Sequence, residues 1–181
     1  MAKGSKEKIV LGSGEVYIMD YADAMPTVEE LCVEANRLAR IKGGASLEYT
    51  QETYEEKDDM GKVSKIITTE EEAILKMGLI TWNGTVLQKL IDRCQVTEAA
   101  GKRVTKIGGA GNAQGKYYAI CFHQKDEQDG DMWVLIKGRN TAGATLTFTK
   151  DEGALVEPEF KALPHDEDGT LIELIEEIDA A

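Results

Sequence analysis

The residues best suited to bind a ligand lie in two segments rich in glycine and aspartate. Gly109-Ala110-Gly111-Asn112-Ala113-Gln114-Gly115 has the look of a phosphate-binding loop. Its third glycine comes one place too late, however, and a strand pattern follows instead of an amphipathic helix. Asp126, Asp129 and Asp131 surround Gly130, but the order and the terminal Glu of a calcium loop are missing. We expect a hairpin loop at the first segment and a solvated turn at the second.

Groups that could perform catalysis are few. The four serines lack the sequence context of an activated nucleophile, and the two histidines, His123 and His165, give little scope for acid–base chemistry near neutral pH. His123 ends an apolar strand pattern, which is typical of a structural histidine. Carboxylates are abundant, but their spacing defines no catalytic pair. We therefore predict that the protein is not an enzyme and has no catalytic residues.

The three cysteines, Cys32, Cys94 and Cys121, are an odd number without a CxxC pair, and each has apolar neighbours. A zinc site needs about four ligands at recognisable spacing, and neither histidine is placed to complete one. The prediction is three reduced, buried thiols, with no metal and no cofactor.

Composition narrows the class of protein. The chain has 181 residues, enough for one well-buried core, and a formal net charge of −12. Such an excess of carboxylates disfavours nucleic-acid binding, which depends on cations that neutralise phosphates. No window approaches the roughly 20 apolar residues of a membrane span, so we expect a cytosolic protein without membrane contact. The domain prediction is a flexible arm over residues 1–13 and one β-sandwich domain over 14–181.

Most of the chain has the pattern of short strands separated by turns. A period of two is clear at Gly14 to Asp20, and Thr145 to Lys150 has the cleanest alternation. In Ala154 to Leu163, Pro158 cannot donate to a ladder, so that strand lies at an edge or begins there. Further strands are predicted at these ranges: 102–107, 116–124, 132–137 and 171–178. The fold class is mainly β, with two packed antiparallel sheets as a sandwich or barrel.

One helix is well supported and one segment is ambiguous. Asn83 is a good N-cap, and an apolar stripe follows it, so we predict a flanking helix over about 83–94. Thr27-Val28-Glu29-Glu30 has the form of a capping box, and helical spacing continues to Ala39. The local pattern over 27–40 therefore favours a helix, although an extended segment stays open.

Between these elements lies a polar stretch. Tyr49 to Lys62 is rich in acidic residues around Tyr54 and Met60, and we predict a long exposed loop there. Val63 to Ile80 then alternates, either as a pair of strands or as one long strand with a charged bend at Glu70-Glu71-Glu72.

Taken in order, six stretches of the chain resemble the major tail tube proteins of tailed bacteriophages and prophages. None is diagnostic alone, and the resemblance rests on their order from about Gly14 to Ile178. The stretches are Asn36 to Tyr49, Tyr54 to Asp59, Glu70 to Glu72, Met77 to Gly84, Lys106 to Gly109, and Phe160 to Pro164.

The resemblance implies a structural virion protein. Its copies form hexameric rings that stack into the tail tube, and DNA passes through the tube into the host without specific binding. It implies the virion tail as location, after assembly in the bacterial host cytoplasm, and three protein partners besides itself: a tape measure, a baseplate or tail-tip protein, and a terminator. It implies packed antiparallel sheets with a flanking helix, and an extended or irregular segment before Gly43.

Two groups of residues are candidates for roles in such a tube. The long polar segment carries aromatic and apolar side chains with little reason to be exposed on a monomer, which suggests contact between rings. The inter-ring candidates are Tyr49, Glu52, Tyr54, Glu55, Glu56, Asp58, Asp59 and Met60. Carboxylates facing the bore would keep DNA from adhering. The lumen candidates are Glu70, Glu71, Glu72, Asp126, Glu127, Asp129 and Asp131.

Two alternatives remain open. The inner tube of a tailocin or related contractile injection particle would follow the same physics, and only genomic neighbours would separate it from a phage tube. A free-standing β-sandwich that binds a small ligand or sugar is the alternative from another class. Clustered surface aromatics would favour the sugar binder, whereas Trp82 and Trp133 lie in segments predicted to be buried.

Overall fold

The computed structural model describes residues 12–151 and 153–179, so the predicted arm over 1–13 lies outside it except for Gly12 and Ser13. Ten strands and two α-helices occur in the described residues. The strands are β1 Gly14–Asp20, β2 Arg37–Ala39, β3 Ile41–Lys57, β4 Ser64–Leu79, β5 Cys94–Ala99, β6 Lys102–Ile107, β7 Tyr118–Gln124, β8 Met132–Asn140, β9 Glu159–Leu163 and β10 Glu173–Glu176. The helices are α1 Val28–Leu31 and α2 Gly84–Leu90.

The predicted fold class is confirmed: the protein is mainly β and antiparallel, with a large sheet and a small one. The large sheet has the order β2-β1-β7-β8-β9-β4-β3, with β10 on β8, and the small sheet is the hairpin β5-β6. Only Arg40 separates β2 from β3. The two ends of the strand order therefore belong to one stretch of chain, and the sheet curls round on itself as in a barrel.

Alternation within the strands produces two cores on opposite faces of the large sheet. Val16 and Ile18 of β1 point into the larger core, where they pack with Ile120, Ile136 and buried residues of β4, β9 and α2. The intervening residues point the other way. Tyr17, Ala119, Cys121 and Leu135 form the smaller core, which Leu31 of α1 covers. Both faces of β1, β7 and β8 are thus buried, which explains their apolar sequences.

The segment over 27–40 combines both structures that its sequence allowed. The capping box is present, since Thr27 Oγ1 accepts from the backbone N–H of Glu30 and the Thr27 N–H donates to Glu30 Oε2. The helix ends after one turn, and Asn36 Nδ2 donates to the carbonyl of Leu31 at its end. Leu38 and Ala39 belong to strand β2 beside β1. The helical spacing beyond Leu31 was therefore misleading.

The predicted helix over 83–94 is correct in place but too long. Asn83 Oδ1 caps it by accepting from the N–H groups of Thr85 and Val86, and the helix ends at Leu90. Its C-terminal carbonyls are taken by side chains from elsewhere. Gln114 Nε2 bonds the Gln88 carbonyl at 2.9 Å, and Asn140 Nδ2 bonds the Leu90 carbonyl at 3.0 Å.

The strand predicted at Thr145 to Lys150 is wrong. This segment lies outside the strands, Leu146 packs partly against the larger core, and Phe148 is 78% exposed with an edge contact to Trp82. Alternation of polar and apolar residues gives a segment one apolar face, but a strand also needs the free edge of a neighbouring strand with which to form backbone hydrogen bonds. The nearby strand β9 already pairs with β8 on one side and with β4 on the other.

The strands predicted at 102–107, 116–124, 132–137 and 171–178 are found with bounds that differ by at most three residues. The strand predicted at Ala154 to Leu163 begins only at Glu159, directly after Pro158, and strand β5 was not predicted. Strand β9 lies inside the sheet and not at its edge. Of the two positions predicted for Pro158, an edge strand or the start of a strand, the structure has the second.

Candidate assembly surface

The predicted loop over Tyr49 to Lys62 is not a loop. Strands β3 and β4 form a long hairpin that includes this segment. The outer part of this hairpin, hereafter the outer hairpin, runs from the pair Leu47↔Leu75 to the pair Lys57↔Ser64. For Val63 to Ile80 the sequence allowed a pair of strands or one long strand, and the structure has one long strand, β4. The loop prediction failed because the outer hairpin is solvated on both faces, and such strands lack apolar–polar alternation.

The outer hairpin extends beyond the body of the protein. Burial along β4 ends at Ala73, and residues 47–71, all of them described, include no buried side chain. Eight residues of β3 lie beyond Tyr49, which corresponds to a projection of about 27 Å at about 3.4 Å per residue. A two-stranded hairpin in water is marginally stable. The outer hairpin is therefore suited to an environment with a partner.

A bulge at Thr69 sets which side chains share a face. Glu52 pairs with Glu70 and Thr53 with Thr68, which leaves Thr69 without a direct opposite residue. One face of the outer hairpin, hereafter the even face, carries Glu48, Thr50, Glu52, Tyr54 and Glu56 of β3 with Glu72, Glu70, Ile67 and Lys65 of β4. The other, hereafter the odd face, carries Tyr49, Gln51, Thr53 and Glu55 with Glu71, Thr68 and Ile66.

The hairpin exposes an unusual amount of apolar surface. Large apolar side chains on it are between 38% and 75% exposed, and they occur on both faces and at the tip. These residues are Leu47, Tyr49, Tyr54, Met60, Val63, Ile66 and Ile67. Scattered apolar residues are normal on a surface, but a cluster on one projecting element is typical of an interface.

The tip is ordered by local hydrogen bonds. Asp58 Oδ1 accepts from the N–H of Val63 at 2.8 Å, and this bond holds the pKa of Asp58 below its usual range. The Asp58 carbonyl accepts from Gly61, whose φ of +67° suits glycine. Asp59 and Met60 are thereby presented at the end of the hairpin. The shape of the tip is therefore set by hydrogen bonds within the hairpin itself.

Charge is concentrated on the same element. Residues 47–72 contain nine acidic and three basic side chains, a net charge of −6, which is half of the total of −12. At the base, Lys76 Nζ lies 3.1 Å from Glu48, and Lys161 Nζ lies 2.5 Å from Glu72. Farther out, Glu71 accepts from the Tyr49 hydroxyl and Glu56 from the Tyr54 hydroxyl, and both bonds raise the tyrosine pKa.

The predicted inter-ring residues all lie on this hairpin, but the structure divides them. Glu52, Tyr54 and Glu56 share the even face, Tyr49 and Glu55 share the odd face, and the remaining three are at the tip: Asp58, Asp59 and Met60. A single flat partner cannot contact both faces at once.

A second projecting element was not singled out from the sequence. The hairpin β5-β6 is separate from the large sheet and packs beside the start of α2. Residues 93–107 contain four basic side chains and one acidic one, a net charge of +3 on an otherwise acidic chain. Val104 and Ile107 are about half exposed there. Local charge in the run Lys102-Arg103-Val104-Thr105-Lys106 was the signal that could have identified it.

The predicted lumen residues fall on two separate elements. Glu70, Glu71 and Glu72 lie on β4 in the outer hairpin, and the other group lies in the turn between β7 and β8. Glu70, Glu71 and Glu127 are exposed, whereas the lysine of β9 neutralises Glu72. Whether either group faces a bore stays a prediction.

The turn after β7 is a compact hydrogen-bonded structure. Asp126 Oδ1 accepts from the N–H groups of Gln128 and Asp129, and Asp131 Oδ1 accepts from the Asp126 N–H. Asp131 Oδ2 lies 2.7 Å from His123 Nε2, and the His123 ring stacks on Trp133. His123 is thus a buried structural histidine, and two of the four aspartates and glutamates here shape the turn.

The glycine loop is also structural. Its residues form a 3₁₀ turn at Ala110–Asn112. Gln114 Nε2 donates to the carbonyls of Gln88, Ile91 and Cys94, and so links the loop to α2 and β5. All three cysteines are free thiols, and the predicted burial is found for Cys94 and Cys121 but not for Cys32, which is half-buried. Cys32 Sγ and Cys121 Sγ lie 3.5 Å apart, and this contact, followed by burial, raises the pKa of Cys121.

In residues 12–151 and 153–179, no group of three or more His, Cys, Asp or Glu side chains could hold a metal ion. No helix in this part of the chain is long and apolar enough to cross a membrane.

A groove of about 650 Å³ runs between the start of β3, the end of β4 and residues 153–159. Its lining combines glycines with Lys42, Lys76, Glu157 and Glu159.

No family model matches the chain, and no curated protein matches it.

Proposed function

We propose that the protein is a structural virion protein whose copies close into hexameric rings and stack into a bacteriophage tail tube. The single observation that carries this proposal is the outer hairpin, which projects about 27 Å with seven exposed apolar side chains. Such an element costs stability and solubility in a monomer unless a partner covers it. The sequence resemblance to tail tube proteins supplies the hexamer and the tube.

The open edge of β3 supports assembly between identical copies. Among the strands that the structure describes, β3 pairs only with β4, and its outer edge is open along the hairpin. Exposed edges recruit further strands or bury themselves against another chain. A contact between two different patches on identical copies closes into a ring or continues as a stack.

The acidic surface fits passage of DNA without binding. A net charge of −12 disfavours adhesion of a polyanion to the assembled wall. On this proposal the exposed carboxylates Glu70, Glu71 and Glu127 are the best lumen candidates. The same physics serves a tailocin inner tube, and the genes beside this one would distinguish the two particles.

The groove at β3 and β4 gives the ligand-binding alternative little support. It is open, and its lining pairs two lysines with two glutamates around glycines, without the aromatic platform that a sugar-binding site uses.

Imaging tests the proposal. Purified protein at increasing concentration is examined by sedimentation and negative-stain electron microscopy, together with particles that contain this chain. We expect rings with sixfold end views and stacked tubes. A monomer at every concentration, with no annular cross-section built from this chain in the particles, would overturn the proposal.

A further inference from the structure

The solvent face of β6 carries a basic stripe with an apolar centre. A Cβ on Gly84 at the start of α2 would lie 2.3 Å from Thr105 Oγ1 and 3.0 Å from Arg103 Cδ, so this face of β6 packs on the helix. The alternate residues Lys102, Val104 and Lys106 therefore point away from it. All three are exposed, and Val104 is 48% exposed. These three residues are the β6 stripe.

The even face of the outer hairpin carries the complementary pattern. Glu52, Tyr54 and Glu56 alternate along β3, so carboxylates flank an aromatic ring that is 52% exposed. Ile67 lies directly opposite Tyr54 on β4 and widens the apolar centre. Glu52, Tyr54 and Glu56 are the β3 stripe.

The two stripes match in spacing as well as in charge. Alternate residues of any strand are about 6.8 Å apart, so carboxylate, ring and carboxylate on β3 have the same repeat as ammonium, valine and ammonium on β6. Two strands can therefore meet with both ion pairs formed at once and with the tyrosine against the valine. Arg103 is not needed for this contact, since it bonds Glu98 at 2.6 Å on the other face of β6.

The two stripes of one copy lie at opposite ends of β4. The sixteen residues of β4 run from the hairpin at Ser64 to Leu79, a length of about 50 Å at about 3.4 Å per residue. Helix α2 begins five residues after Leu79, and β6 packs at its first turn. The β3 stripe therefore cannot reach the β6 stripe of its own copy. A second copy placed head to tail brings them together.

We infer that the β3 stripe of one copy seats on the β6 stripe of another, as the contact that joins successive rings. This inference rests on the proposed function and names the surface that receives the hairpin. Each exposed ion pair contributes little, but the apolar centre is desolvated behind the charged rim, and the contact repeats around a ring. The heterologous geometry leaves a free stripe of each kind at the two ends of a stack, so stacking can continue.

A charge exchange tests the inference. One variant carries Lys102→Glu and Lys106→Glu, a second carries Glu52→Lys and Glu56→Lys, and a third carries all four changes. We expect each pair of changes to raise the protein concentration needed for tubes at least tenfold, because two attractions become repulsions. The third variant should regain tubes at close to the wild-type concentration.

The matched control reverses charge on the opposite face of the same hairpin. Glu55→Lys with Glu71→Lys changes the net charge equally, and combining it with Lys102→Glu and Lys106→Glu should not restore tubes. A second measurement mixes Tyr54→Cys protein with Val104→Cys protein and oxidises the mixture. A disulfide between the two kinds of chain is expected, and circular dichroism verifies that every variant is folded.

The outcomes separate this inference from the proposed function. Tubes of the wild-type protein with no restoration in the third variant, or with no mixed disulfide, would overturn the inference and leave the tube intact. Binding of duplex DNA by the wild-type protein, lost with Lys102→Glu and Lys106→Glu while tubes form normally, would assign the β6 stripe to nucleic acid instead. Absence of any wild-type assembly would overturn both.

Discussion

At the scale of single residues, Glu15 of β1 contacts Arg37 of β2 and Lys125, the residue after β7, at one end of the large sheet. Its carboxylate accepts from Lys125 Nζ at 2.7 Å and from the Tyr17 hydroxyl at 2.6 Å, and Arg37 lies 3.5 Å away. The bond from Lys125 is the main reason that its pKa falls to about 2, with the bond from Tyr17 next. Burial, followed by the bond to Glu15, raises the pKa of Tyr17 to about 12.

This lowered pKa predicts a pH-dependent contribution to folding. The charged form of Glu15 is favoured in the folded state, so its stabilisation is complete above about pH 4.5 and is lost as the pH falls toward about 2. Since the side chain is 20% exposed, we expect Glu15→Gln to cost about 1–2 kcal/mol at pH 7 and much less at pH 2. Urea unfolding at both pH values measures this. An equal loss at both, or a similar loss for exposed Glu127→Gln, would contradict the assignment.

Asn140 predicts a larger effect that does not depend on pH. Its amide donates to the carbonyls of Leu90 and Gly143, and its oxygen accepts from the N–H groups of Ala142 and Glu159. Asn140→Ala leaves these backbone groups without side-chain partners, which should cost about 2–4 kcal/mol in free energy of unfolding. Asn140→Asp keeps the acceptor and should fall between. Equal stability of all three proteins in urea would refute this role.

At the scale of elements, the hairpin should be separable from the fold. Replacing residues 50–72 with Asn-Gly joins Tyr49 to Ala73, which already face each other, through a two-residue turn. No buried side chain is removed, so the melting temperature should change by only a few degrees, whereas tubes should be absent. Circular dichroism and electron microscopy measure the two properties. Normal tubes from this variant would show that the hairpin has no part in assembly.

Elements were predictable where burial left a clear period in the sequence. Strand β1 was predicted with its observed bounds because it lies between a core on each side and open turns at its ends. The β3 half of the outer hairpin escaped prediction because solvent reaches both faces of that strand. The alternation at Thr145 to Lys150 was misleading because a sequence pattern does not show whether the nearby strands already have partners on both sides, as β9 does. Strand β6 was predicted with its observed bounds, but β5 and the basic charge of the hairpin β5-β6 were missed because only the net charge of the whole chain was considered.

At the scale of the whole molecule, the proposed tube brings together copies that each carry a net charge of −12. Two electrostatic effects then oppose each other, general repulsion between copies and local attraction between the β3 and β6 stripes. They differ in range. At about 0.1 M salt the screening length is about 10 Å, so repulsion between distant charges is suppressed while ion pairs in contact persist. Near 1 M the length is about 3 Å, and exposed pairs are weakened too.

Tube formation should therefore pass through a maximum as salt increases, rising from about 0.01 M to about 0.2 M and declining toward about 1 M. Light scattering at fixed protein concentration measures the curve. Glu167→Gln with Asp168→Asn removes two exposed charges away from both stripes, giving −12 + 2 = −10, and should shift only the rising part to lower salt. A steady rise to 1 M would mean that apolar contact alone joins the rings, because the repulsion is already largely screened at about 0.1 M and further salt would then weaken only the local attraction.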